Sequence, residues 1–72
     1  MKKYCFNYSI QGVLTFLPLW ICVEDSNHIS AFMKAKKYLK QTEKRNTKVH
    51  FKNFPEPKGQ FDKPIIVPKN FK

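Results

Sequence analysis

The chemistry most strongly marked in this sequence belongs to a basic segment between residues 34 and 52. Eight of its nineteen residues are lysine or arginine and a single one, Glu43, is acidic, whereas residues 1–33 sum to zero charge. Lysine and arginine contact phosphate groups irrespective of base sequence, and they release condensed counterions when they bind. A positive field this concentrated predicts a partner that presents phosphate or an acidic surface.

A helix through the first part of this segment would carry its lysines on the outer face, away from the apolar positions. The charge would then continue onto the strand that follows. The residues predicted to bind nucleic acid, or an acidic partner, are Lys34, Lys37, Lys40, Lys44, Arg45, Lys48 and Lys52. The alternatives are a merely solvated surface, an acidic protein surface and an anionic lipid.

Aromatic residues offer a second kind of contact. Phe16 and Trp20 fall on one face of a predicted hairpin, with Lys3 facing Trp20. Rings beside positive charge on a sheet face are typical of proteins that stack single-stranded bases. The alternative is that the C-terminal tail covers these rings, through Phe61 or residues 65–67. The sequence favours the covered arrangement, because the neighbouring positions on that face are apolar.

Catalytic and metal-binding chemistry is weakly marked. Glu24, Asp25 and His28 are close together, but the preference for acidic and polar residues at helix starts explains them, with His28 exposed. His50 on a basic strand could serve acid–base chemistry in a metal-independent ribonuclease, although it stands alone. The cysteines and histidines lack ligand spacing, and the two glycines form no phosphate loop. We therefore predict no enzyme activity, no cofactor and no metal.

The sequence predicts that the chain begins with a β-hairpin, which would position the candidate residues. Residues 4–10 alternate between aromatic or branched side chains and polar ones, which is typical of a half-buried strand. Gln11-Gly12 then predicts a two-residue turn into a second strand over residues 13–23. That register sets Cys5 opposite Pro18, with Cys22 four residues beyond, and therefore predicts two free thiols in a reduced, intracellular protein.

A helix and a third strand complete the predicted domain. The apolar spacing of Ala31, Phe32, Ala35, Tyr38 and Leu39, after candidate caps at residues 25–27, predicts a helix over residues 27–44. The stretch "KVHFKNF" that follows alternates with Val49 and Phe51 inward. We expect this strand to lie antiparallel beside the first one.

The last eighteen residues hold four of the five prolines and read as an extended basic tail, in which residues 65–67 could add a short edge strand. The predicted organisation is a domain over residues 1–54 and a tail over residues 55–72. The apolar run at residues 13–23 is shorter than the roughly 20 residues of a spanning helix. We expect no membrane partner and a cytoplasmic location.

The sequence thus predicts a small α+β domain in the order ββαβ. Its helix is expected to pack on the sheet face formed by Tyr4, Phe6, Tyr8, Leu17 and Leu19. The predicted function is non-enzymatic binding of nucleic acid or of a nucleic-acid-handling complex, as a phage or mobile-element inhibitor with a host protein target. The alternatives are a peripheral RNA-contacting subunit of a ribosome-like particle and a small ribonuclease toxin.

Overall fold

The computed structural model describes residues 1–14, 18–58 and 63–71. Within them the chain forms four strands and one helix, namely β1 (Lys2–Ile10), β2 (Leu19–Asp25), α1 (His28–Thr42), β3 (Thr47–Val49) and β4 (Ile65–Ile66). The strands make one sheet in the order β3-β1-β2-β4. Strand β1 runs antiparallel to both β2 and β3, and β4 runs parallel to β2. The predicted α+β fold, with the third strand beside the first, is confirmed.

Helix α1 packs on the aromatic face of β1. Successive side chains of a strand point to opposite faces of the sheet, and Tyr4, Phe6 and Tyr8 share the face that α1 covers. Phe6 is fully buried there, against a helix surface that includes the buried residues Ala31 and Ala35. Small side chains at these two positions let the helix backbone approach the sheet. The remaining buried residues of the core are Ile21, Val23, Leu39, Val49 and Val67.

The connection between β1 and β2 is longer than the predicted two-residue hairpin. The turn itself forms, because Val13 N–H donates to the Ile10 carbonyl at 3.1 Å and Gly12 adopts a positive φ of 81°. Among the residues that the structure describes, strand pairing nevertheless begins at Leu19, directly after Pro18, which has no N–H to donate to a ladder. The predicted register is therefore wrong by four residues.

The shift of four residues leaves the predicted faces intact. Tyr8 lies opposite Leu19 instead of Thr15, and Leu19 is half-buried. Because the side-chain period of a strand is two, an even shift keeps each residue on the face that alternation predicts. Residues 15–17 lie outside the described residues, so the predicted place of Leu17 under the helix stays a prediction.

Cys5 and Cys22 form a disulfide, so the prediction of two free thiols is wrong. The corrected register sets the two residues directly opposite each other. The Cys5 N–H donates to Asn53 Oδ1 and the Cys5 carbonyl accepts from Phe54 N–H, while the Cys22 carbonyl accepts from Val67 N–H. Their backbone groups thus point away from each other, which is the pairing in which opposing side chains approach most closely.

Asn27 caps the N-terminus of α1 and fixes where the helix begins. Its side-chain oxygen accepts from the Ser30 N–H at 2.7 Å, which satisfies one of the donors that the first helical turn leaves unpaired. Asp25 precedes the cap and accepts from the Ser30 hydroxyl at 2.7 Å. At the other end the Glu43 N–H donates to the Leu39 carbonyl. The predicted helix is confirmed, with ends one and two residues inside the predicted bounds.

Strand β3 is shorter than the alternating stretch predicts. The paired residues of β3 end at Val49, and Phe54 then forms an isolated bridge with Cys5. Phe51, predicted to point into the core, lies between these points with 49% of its surface exposed. Alternation along the sequence continues past residue 49, but the strand ends there and leaves Phe51 partly exposed.

The C-terminal segment packs on the domain. The predicted edge strand forms as β4, where Ile65 lies opposite Ile21 of β2. Val67 is buried in the core, and the ring of Phe71 packs edge-on against Tyr38 of α1 at 5.1 Å between centroids. Residues 63–71 therefore complete one edge of the sheet, and the predicted division of the chain at residue 54 stays a prediction.

Candidate functional site

A basic groove of about 460 Å³ lies between the C-terminal half of α1 and the chain that leads into β3. Val49 and Thr47 line it from the strand side, and Met33 and Asn46 also contribute. All but one of its charged lining residues are cations. The cations are Lys36, Lys37, Lys40, Lys44 and Arg45, and the single anion is Glu43.

Helical spacing aligns two of these cations, and a third follows just beyond the helix end in the same groove. Lys36 and Lys40 are four residues apart on α1, and Lys44 follows four residues later, just beyond the helix end. Residues four apart lie on the same side of a helix, about 6 Å apart along its axis. Within the described residues, no carboxylate lies within ion-pair distance of these three amines. These three lysines therefore present their charge to a ligand in the groove.

Glu43, the one acidic residue of the groove, is already engaged. Arg45 Nε donates to Glu43 Oε1 at 3.1 Å, and the Arg45 N–H donates to the same oxygen at 3.2 Å. The hydrogen bond from the Arg45 side chain is the main cause that lowers the pKa of the Glu43 carboxyl. This pair holds Arg45 at the groove edge, and the lysines retain the positive character of the site.

The structure distributes the seven predicted cations over three places. Lys37, Lys40, Lys44 and Arg45 line the basic groove. Lys34 lies elsewhere on α1, where its ammonium is 3.2 Å from Asp25 Oδ2 and its side chain is only 35% exposed. A lysine held in this way contributes less to an external field than the groove lysines do.

Lys48 and Lys52 belong to the opposite side of the sheet. Lys48 alternates with Thr47 and Val49, whose side chains face α1 and the groove, so its own side chain points away from them. The ammonium of Lys52 lies 4.9 Å from the ring centroid of Phe54. The two lysines are therefore separated from the groove by the sheet itself.

The predicted aromatic contact site is covered in part. The ring of Trp20 is half-buried and packs edge-on against Phe54 at 5.2 Å between centroids. The covering residue therefore comes from the segment that follows β3. Phe16, the other predicted contact, and Phe61, the predicted cover, both lie outside the described residues.

Sequence reasoning missed two components of this region. The first is Lys36, for which the available signal was its four-residue spacing from Lys40. The second component is a stack of aromatic rings next to the groove. His28 and Phe51 stack with centroids 4.2 Å apart and planes 9° apart, and His28 also stacks with Tyr4 at 5.4 Å. The sequence predicts His28 as an exposed residue, whereas it is half-buried in this stack.

No family model, curated protein or solved structure matches this chain.

In the cluster of Glu24, Asp25 and His28, the structure shows packing and hydrogen-bond contacts for Asp25 and His28. Asp25 is only 5% exposed, and the hydroxyl of Ser30, the N–H of Ser26 and the ammonium of Lys34 surround its carboxylate. These contacts, the Ser30 hydrogen bond first among them, lower the pKa of Asp25 to about 2. The carboxylate thus joins the end of β2 to the start of α1. His28 is held by ring stacking and by a hydrogen bond to the Phe51 carbonyl.

The remaining candidates for acid–base and metal chemistry are His50 and the metal-ligating side chains. His50 is exposed, and its backbone N–H donates to the Asn7 carbonyl at 2.9 Å. No set of three or more His, Cys, Asp or Glu side chains in the described ranges is placed to hold a metal ion. Within the same ranges, α1 falls short of the length and apolarity that a membrane-crossing helix needs. The basic groove, with five cationic side chains, is therefore the candidate functional site.

Proposed function

We propose that this protein binds nucleic acid, and that the basic groove contacts the phosphate backbone. The observation that carries the proposal is the composition of the groove, in which five cations face one carboxylate and that carboxylate is already bonded to Arg45. A concentrated, uncompensated positive surface attracts a polyanion strongly, and the attraction arises largely from counterion release.

The positions of the groove lysines support contact with a strand rather than with one isolated phosphate. Lys36 and Lys40 lie about 6 Å apart along α1, and Lys44 lines the same groove just beyond the end of the helix. Ammonium groups on long side chains can adjust to successive phosphates of one strand. Such contacts position a nucleic acid without reading its sequence, so we propose affinity with little base-sequence preference.

The proposed role is binding without catalysis. His50 is an exposed residue directly after β3, and a single histidine is weak support for the ribonuclease alternative. We include in the proposal that the ligand is nucleic acid within a larger complex. Two such complexes are considered. The protein could be a peripheral RNA-contacting subunit of a ribosome-like particle, or a phage or mobile-element inhibitor of a host protein that handles nucleic acid.

The proposal includes a cytoplasmic location, and the disulfide between Cys5 and Cys22 is relevant to that location. A cytoplasmic protein is kept reduced by the thiol pools of that compartment, whereas a disulfide is typical of oxidising compartments. Cys5 and Cys22 are directly opposite each other in the register. In the cytoplasm they would face each other as a pair of thiols. Alkylation of the protein in intact cells, followed by mass spectrometry, distinguishes the two states.

The proposal is tested by binding measurements with a charge-matched control. Fluorescence anisotropy of a labelled oligonucleotide would be followed at several salt concentrations for wild type and for Lys36→Gln/Lys40→Gln/Lys44→Gln. The control, Lys2→Gln/Lys48→Gln/Lys58→Gln, removes three exposed lysines outside the groove, so both variants change the net charge from +9 to +6.

We expect the groove variant to lose affinity and to flatten the dependence of log affinity on log salt by about 2 to 3, since each lost phosphate contact removes about 0.7–0.9. The control variant should keep most of the wild-type affinity. Equal losses in the two variants would show that only total charge matters, and the proposed site would be wrong. Absence of salt-dependent binding by wild type would refute the proposed function itself.

A further inference from the structure

A partly exposed aromatic ring lies one ring away from a lysine of the basic groove. Phe51 has 49% of its surface exposed, which is high for a phenylalanine whose ring is packed on other rings. Its ring stacks on His28 and meets Phe32 edge-on at 5.0 Å between centroids. The stack therefore ends at Phe51, with part of that ring open to solvent.

Two observations place this ring near the groove. Val49, which lines the groove, precedes Phe51 by two residues in the chain. Lys36 also lines the groove, and its ammonium lies 5.3 Å from the ring centroid of Phe32, the same ring that packs against Phe51. One aromatic ring thus separates a groove ammonium from the exposed ring. A ligand whose phosphates occupy the groove has its neighbouring groups within reach of Phe51.

The ring is held in place before any ligand arrives. The His28 and Phe51 planes are 9° apart with centroids at 4.2 Å, and His28 Nε2 donates to the Phe51 carbonyl at 2.6 Å. His28 itself stacks with both Tyr4 and Phe6 of β1. The backbone and the ring of Phe51 are therefore both anchored to the sheet, so that stacking on its outer side requires little additional ordering.

We propose that Phe51 is a stacking platform for an unpaired nucleobase, and that the ligand of the basic groove is consequently single-stranded nucleic acid. This inference rests on the proposed function. Aromatic side chains next to a positive track bind single strands, because every base has a flat face and an unpaired base can leave its neighbours to stack. In a duplex the bases are already stacked and paired, so the ring would gain nothing from them.

The test compares single-stranded and duplex oligonucleotides of equal length and sequence, by anisotropy, for wild type and Phe51→Leu. Leucine keeps an apolar side chain of similar reach but has no ring face. We expect Phe51→Leu to weaken single-strand binding by roughly 5- to 150-fold, the range of a lost base–aromatic stack. Duplex binding and the salt dependence of single-strand binding should stay unchanged, because no phosphate contact is removed.

The control variant is Ile29→Ala. Ile29 is an exposed apolar residue of α1, 67% exposed, and it does not line the groove. We expect it to bind single strands like wild type. Equal losses in Phe51→Leu and Ile29→Ala would indicate a general apolar docking surface, for instance for a protein, and would overturn the inference.

A change in the ligand gives a comparison within each protein, so a difference in folding between wild type and Phe51→Leu does not affect it. Single strands that carry abasic positions should bind wild type more weakly than intact strands, and should bind Phe51→Leu no more weakly than intact strands do. If base removal weakens both proteins equally, Phe51 is not the platform.

The possible failures are distinguishable. Loss of binding in the groove variant with normal single-strand binding by Phe51→Leu overturns this inference and leaves the proposed function standing. A wild-type protein that binds neither single strands nor duplexes overturns both.

Discussion

Reducing the disulfide between Cys5 and Cys22 should remove a large part of the stability of this chain. The two residues are 17 positions apart in sequence. In the chain-entropy treatment of cross-links, closing a loop of that size in the unfolded state stabilises the native state by about 3 kcal/mol. A 72-residue domain buries too little surface to have much stability in reserve. A loss of about 3 kcal/mol corresponds to a fall in Tm of about 12–24 °C.

The measurement is urea unfolding, followed by the fluorescence of Trp20, with and without a phosphine reductant. With an m-value of about 1 kcal/mol/M, the midpoint should fall by about 3 M on reduction. Reduction is preferable to substitution as the main perturbation, because both side chains are 0% exposed and a smaller residue would also leave a cavity. The variant Cys5→Ala/Cys22→Ala serves as the control, since the reductant should not change its midpoint.

Two results would refute the reasoning. Protein purified without reductant and then unfolded in alkylating reagent should take up no label, so uptake of two labels would show that the cross-link is not formed. A midpoint that the reductant leaves unchanged in a protein of verified disulfide content would show that the loop-closure argument fails for this chain.

Three further outcomes follow from the described contacts. Because the folded-state pKa of Asp25 is lowered to about 2, the stability it contributes, up to about 2 kcal/mol, is present above pH 4 and lost as pH falls to 2. The difference in unfolding free energy between wild type and Asp25→Asn should shrink over that interval, and a constant difference would contradict the assignment. Replacing the helix cap, Asn27→Ala, should destabilise the protein by about 1 kcal/mol in urea unfolding, whereas an unchanged midpoint would show that the Ser30 N–H needs no cap. RNA incubated with wild type or with His50→Ala should stay intact on a gel, and cleavage that disappears in the variant would establish the ribonuclease alternative.

The helix was predictable from sequence because two independent signals agree there. Apolar residues recur at helical spacing, and a polar capping residue precedes them. The buried positions Ala31, Ala35 and Leu39 are those that the wheel places inward. The faces of β1 and β2 were equally predictable, since alternation alone determines them.

The strand register was not predictable, and the disulfide was missed with it. Alternation is unchanged by a shift of two or four residues, so it cannot distinguish Leu19 from Thr15 as the partner of Tyr8. The glycine turn at Gly12 is real, but a local turn does not oblige the ladder to continue beyond it. Pro18 was the signal that favoured a later start, because it cannot donate to a ladder.

The number of basic residues in the segment could be counted from the sequence, but their distribution over the surface could not. Helical spacing aligns Lys36 with Lys40, and that part of the site could be read from the sequence. Whether Lys48 and Lys52 join them depends on which side of the sheet β3 presents to α1. The exposure of Phe51 depends on where β3 leaves the ladder. Both depend on tertiary contacts that no local pattern encodes.

The covalent bond between β1 and β2 ties together the two inner strands of the sheet and neither of the outer ones. Strand β3 has three residues and β4 has two, and each adjoins one inner strand. Either border can therefore open by itself while the cross-linked centre stays closed, as in the sub-global openings that amide hydrogen exchange detects. The groove is bounded by β3, so a ligand that contacts both α1 and β3 would hold this outer strand in place. Amide hydrogens of β3 would then exchange more slowly with solvent.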